Sequence, residues 1–174
     1  MATRQELEAN GFNNMGTTDI AKAVRKQLKN EFPGCKFSVT TEYYAGGSSI
    51  SMSCMVADRK LVKDISEISE AAFDKQEFRN GYSKEAIAKM QKQGEHQLNN
   101  YTLRLEYEED VWCNGVFLTE EGHKLMQRAE AIVNQYNYDE SDAMSDYFSV
   151  NFYLHTSLGK WDKPFIDGGQ NGSN

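Results

Sequence analysis

The sequence has no run approaching the ~18 apolar residues that a membrane-spanning helix needs, so no spanning segment is expected. Its opening, Met1-Ala-Thr-Arg-Gln-Glu-Leu7, contains no apolar h-region, and no secretory leader is expected. Cysteine is sparse. Cys35, Cys54 and Cys113 are odd in number and widely spaced, with no C-x-x-C pair, which argues against a disulfide framework or a cysteine-rich zinc site. Reduced thiols in a cytoplasm are expected instead. There are two prolines, and Pro33-Gly34 reads as the stop of a helix. The histidines are His96, His123 and His155, in neither H-E-x-x-H nor H-x-x-x-H spacing. G-x-S-x-G, Walker and G-x-G-x-x-G strings are absent. The expectation is therefore no enzyme, no catalytic residue, no metal and no cofactor. A metal-dependent enzyme using His155 with nearby acids is the remotest alternative.

What is present is an ordinary globular composition. The chain has 174 residues, 39% apolar and 26% charged, with nine Phe and nine Tyr. That size suits one domain, placed at 17–165, with flexible ends at 1–16 and 166–174. Basic residues number 19 against 26 acidic, a net charge of −7. This balance opposes a whole-body nucleic-acid clamp.

Thr17-Thr-Asp19 can cap a helix whose stripe is Ile20, Val24 and Leu28. Phe37, Val39 and Thr41 alternate with polar neighbours. After the turn Ala45-Gly-Gly47, so do Ile50, Met52, Cys54 and Val56, which predicts a β-hairpin. The spacing predicts helices over 58–75, from Ser83 through Leu98, and from Thr119 through Tyr136. Tyr101, Leu103, Leu105 and Tyr107 predict a third strand, and Phe148, Val150, Phe152 and Leu154 a fourth. The expected fold is α+β in the order α-β-β-α-α-β-α-β. It has a small, mostly antiparallel sheet of about four strands, with helices packed on one face.

Charge is unevenly placed: residues 17–36 carry net +3, and residues 101–147 net −8. Lys22, Arg25, Lys26 and Lys29 fall at i, i+3, i+4 and i+7. Their stripe is either a phosphate-facing ridge, with Tyr43 and Tyr44 nearby, or a solvated outer face. Glu108, Glu109 and Asp110, with Asp139, Glu140, Asp142 and Asp146, form the acidic candidates. The second group lacks the spacing and the glycine of a calcium loop. It reads as a protein-binding acidic face, a looser cation site or a solvated loop, and an acid-rich face can occupy a basic groove by charge complementarity.

Two segments resemble a known family. The first runs from Asp19-Ile-Ala-Lys-Ala-Val-Arg-Lys through Phe32-Pro-Gly-Cys-Lys-Phe-Ser-Val39 to Gly46-Gly-Ser-Ser-Ile50. The second includes Tyr136-Asn-Tyr-Asp-Glu-Ser-Asp142 and Phe152-Tyr-Leu-His155, and closes on Gly159-Lys-Trp-Asp-Lys-Pro-Phe165. Over 17–57 and 134–165 the chain is similar to the large polyvalent protein-associated domain family, type 29. The resemblance implies a phage or conjugative-element protein of a bacterial cytoplasm, found near anti-restriction and DNA-handling factors. It carries over no catalytic residue. The expected function is a non-enzymatic binding protein of a mobile element, an acidic inhibitor or adaptor of a nucleic-acid-handling protein such as a defence system. The alternative is a direct single-strand binder through the basic first helix. No membrane partner is expected.

Overall fold

Alternation of apolar and polar residues builds the hairpin of β1 (Lys36–Tyr44) and β2 (Gly47–Val56), the widest pairing in the structure. Its turn, Ala45-Gly46, places Gly46 at φ 94°, a left-handed backbone that glycine adopts without steric cost. This computed structural model describes residues 3–12, 14–108, 112–142, 144 and 149–168.

Preceding the hairpin are α1 (Arg4–Ala9) and α2 (Thr17–Glu31). The lead-in read as loose thus contains a helix, closed by a capping box between Thr3 and Glu6, with Leu7 buried. The N-cap of α2 is Gly16. Thr17 is already helical and buried, its hydroxyl 2.7 Å from that of Ser48. The stripe of Ile20, Ala21, Val24 and Leu28 faces the sheet, and each is at most 1% exposed.

Residues 58–75 are not one helix. Leu61–Val62 is extended, with Val62 bridged to Leu118, and a 3-10 turn spans Ile65–Glu67. Then α3 (Glu70–Asn80) starts at a Ser69 cap. Ile68, Ala72 and Phe73 are buried together, but Asp64 and Ser69 each bond backbone N–H groups and cut the segment. Helix α4 (Lys84–Gln91) is capped by Ser83 and ends before Leu98.

The third strand is β3 (His96–Gln97), not 101–107. Tyr101 to Arg104 lie in α5 (Asn100–Arg104), because the Asn99 side chain accepts the N–H groups of Tyr101 and Thr102. Helix α6 (Glu120–Asn134) begins at the Thr119 cap, as expected. The fourth strand is β4 (Tyr153–Leu158), shifted toward the C-terminus from the expected 148–154. Thr156, a polar residue 1% exposed on the inner face, hides this strand's apolar alternation. Phe148 lies outside the described residues.

The sheet order is β1-β2-β4-β3. Pairs β1–β2 and β4–β3 are antiparallel, whereas β2 and β4 run parallel, so this α+β fold has a mixed sheet. One face carries Val39, Met52, Cys54 and Leu158 into a core shared with α2 and α6. Arg128 of α6 clamps Glu31 of α2 at 2.5 and 3.1 Å, and Tyr136 binds Gln27. A second cluster of Ile68, Ala72, Phe73, Ile87 and Phe117 holds α3 and α4 together.

Candidate functional site

Strand β1 is the long outer edge of the sheet, and its exposed side follows from one hydrogen-bond pair. Arg25 of α2 donates through Nε and Nη2 to the carbonyl of Val39, at 3.0 and 2.5 Å. That carbonyl therefore points away from β2. In an antiparallel pair the bonding direction alternates along the strand. The N–H and C=O groups of Phe37, Val39, Thr41 and Tyr43 thus face outward, while those of Ser38, Thr40 and Glu42 face Ser53, Ser51 and Ser49.

Helix α2 lies along this edge. At 100° per residue, positions seven apart are nearly aligned, and Thr18, Arg25 and Phe32 each meet β1. The Thr18 N–H donates to Tyr43 Oη at 3.1 Å, Arg25 holds Val39, and the rings of Phe32 and Phe37 sit 5.8 Å apart. Hydrogen bonds from Thr18, its side chain first, hold the Tyr43 phenol below its ordinary pKa. Lys22 and Lys29, one turn beyond Thr18 and Arg25, extend the flank, and both are exposed. Lys22 pairs with Asp19 at 2.9 Å.

Among the described residues no helix packs on the second face of the sheet. The register sets Glu42, Ser49 and Tyr153 in one row, then Thr40, Ser51 and His155, then Ser38, Ser53, Ser157 and Gln97. Tyr44, Glu42, Thr40, Tyr153, His155 and Gln97 are exposed. Gly47 lies between the Tyr44 and Tyr153 rings, and a Cβ there would come within 3.4 and 3.8 Å of them. Burial and the neighbouring Tyr153 push the Tyr44 phenol up.

The basic candidates do not form one surface. Arg25 is committed to Val39, Lys26 projects from the outer side of α2, and Tyr43 and Tyr44 lie on opposite faces of β1. Of the acidic candidates, Asp139, Glu140 and Asp142 share one loop and organise it. Hydrogen bonds from Ser141, its side chain first and then its N–H at 3.0 Å, hold the Asp139 carboxyl below the usual range. Asp142 accepts the Met144 N–H at 2.9 Å, and Glu140 accepts the Arg4 N–H at 3.2 Å. Glu108 is exposed beyond α5. Glu109, Asp110 and Asp146 lie outside the described residues.

The histidines are dispersed. His96 is buried in β3, and desolvation lowers its pKa. His123 is buried under Tyr107, with Nε2 3.3 Å from the Thr102 carbonyl. Among the described residues no group of three or more His, Cys, Asp or Glu could hold a metal ion. A cleft of about 420 Å³ is lined by Lys60, Lys63, Asp64, Gln91, Lys92 and Asp167. Its groups serve the fold. Gln91 binds the backbone of Lys63 and Phe117, and Asp167 accepts the N–H groups of Leu61 and Val62 at 3.0 Å.

The outward edge of β1 was missed by sequence reasoning. Its one signal was the seven-residue spacing of Thr18, Arg25 and Phe32, which acquires meaning only once the partner strand is known. No described helix is long and apolar enough to cross a membrane.

No curated protein and no solved structure matches the chain. The family model for large polyvalent protein associated domain 29 matches residues 15–114. That match contains the first resembling segment and continues through α3, α4, β3 and α5, whereas the second segment, 134–165, falls outside it. The match associates the chain with the large polyvalent proteins of phages and other mobile elements. On a match that spans more than half its length, from α2 through α5, the chain belongs to the large polyvalent protein associated domain 29 family.

Proposed function

We propose that the chain is a non-enzymatic binding module of a mobile-element protein, which acts by occupying a protein partner as an adaptor or inhibitor. The observation that supports this is the nine-residue edge strand β1, whose outward backbone groups lie beside one exposed sheet face. A free edge offers donors and acceptors in register for an added strand. Natural sheets cover or blunt such edges, and here among the described residues Arg25 alone caps one carbonyl. The partner in this reading handles nucleic acid in the host or the element. The net −8 of residues 101–147 then presents to it charge of the sign that nucleic acid carries.

Affinity capture from bacterial lysate, with and without nuclease, tests this reading when wild type is run beside Thr41→Pro. The Thr41 N–H faces outward, so proline there removes an edge donor while the β1–β2 ladder stays intact. A partner that survives nuclease on wild type and is lost on a folded Thr41→Pro chain is the expected result. Partners that disappear with nuclease, or that the variant keeps, overturn the proposal.

A further inference from the structure

We infer that the segment received by β1 is an extended, acidic stretch of the partner, added as a fifth strand under the flank of α2. This rests on the edge-binding reading above and names the chemistry of that edge's occupant. The first support is length. Nine residues at about 3.3 Å each give an edge on the order of 30 Å, with four residues directing both N–H and C=O outward. The second is charge. Arg25 reaches the edge from α2, Lys22 and Lys29 stand exposed on the same side of that helix at i−3 and i+4, and Lys36 is exposed at the start of β1. Asp19 pairs with Lys22, and Glu42 belongs to the open face, so the rim stays positive. The third is side-chain direction. Successive side chains of an added strand point to opposite faces. Those on the helix side meet Arg25, Lys29 and the Phe32–Phe37 pair, and those on the other meet Thr40 and Tyr44.

Arg25 makes the edge selective. In the free chain its guanidinium satisfies the Val39 carbonyl. An incoming strand brings its own N–H to that carbonyl and releases the exposed guanidinium, which water can hydrate but which gains a new pairing where a carboxylate receives it. Charge-assisted, bidentate pairing favours that exchange. A basic strand leaves Arg25 against like charge. A second copy of this chain pairing β1 to β1 brings two basic flanks together and is disfavoured for the same reason.

The test uses the full chain, isotopically labelled, and a blocked nonapeptide of alternating Glu and Val. Controls are the same peptide with Lys for Glu, and oligo(dT). The Glu peptide is expected to shift the amides of Phe37, Val39, Thr41 and Tyr43 and to slow their exchange. Its affinity is expected to fall about tenfold as screening increases from low to high salt. A Lys22→Glu/Lys29→Glu chain is expected to reverse the preference and take the Lys peptide. Equal binding of both peptides, or no movement of those four amides, overturns the inference. So do shifts with oligo(dT) at Lys22, Lys26 and Lys29 alone, or protection of the β1 amides that grows with protein concentration. If a captured partner still depends on Thr41 while the Glu peptide leaves β1 unmoved, the edge stands and its acidic occupant falls. If the partner ignores Thr41→Pro, both fall.

Discussion

At the residue scale, burial decides what the side chains can do. All three cysteines are free and buried. Desolvation pushes the Cys113 thiol up to about 11 and the Cys54 thiol higher still, and burial also raises Cys35 beside Asp58. The thiolate is the nucleophile, so these groups stay protonated and unreactive throughout the neutral range. Ellman's reagent at pH 7–8 is therefore expected to label the native chain at least about a hundredfold more slowly than the urea-unfolded chain. A thiol that labels at the unfolded rate in native buffer would contradict the buried positions. The same scale shows how little of the site was legible. Arg25 reads from sequence as one member of a basic stripe, and its bond to Val39 depends on a strand residue fourteen positions away. Asp139 and Asp142 read as surface charge, yet each is spent on its own loop's N–H groups.

At the element scale, short polar caps overrode hydrophobic periodicity. Within 36–44 and 47–56, Phe37, Val39 and Thr41 and then Ile50, Met52 and Cys54 fall at every second position and point to the core, because a half-buried sheet has a period of two. The string 101–107 alternates as well, but its residues are not alternately buried. Leu103 is fully buried, whereas Tyr101 and Leu105 are exposed by 70% and 46%. Asn99 tips the balance toward helix by satisfying two N–H groups at once. Asn99→Ala is expected to cost about 1 kcal/mol, typical of losing a cap. Urea unfolding followed by circular dichroism would measure it. A midpoint unchanged within error would mean that contacts of α5 with α6, not the cap, choose the helix.

At the scale of the whole molecule, β4 is the keystone of the sheet. It lies between β2 and β3, about a hundred residues beyond the hairpin it extends. Family-matched residues 15–114 contain neither β4 nor α6, which supply Leu158, Met126, Ala129 and Val133 to the main core. A fragment of 15–114 is therefore expected to lack a cooperative thermal transition and dispersed amide resonances. Added 115–168 would restore them. A well-dispersed spectrum from 15–114 alone would show that the hairpin and α2 suffice. The parallel β2–β4 pairing joins strands about a hundred residues apart, a long-range closure of the kind that slows folding.

The amino-acid order alone determined the α+β class, the hairpin, the α2 stripe, the α6 start at Thr119 and the family resemblance. Each of these is a local matter of period, cap or turn, written within a few neighbouring residues. Only the tertiary structure decided that β4 enters the sheet parallel to β2, that the second face exposes Thr40, Glu42, Tyr153 and His155 around buried Ser49 and Ser53, and that β1 ends the sheet beneath a basic flank. Those outcomes join residues distant in sequence. Which strand becomes an edge depends on where every other strand finds its partner, and no local pattern records that.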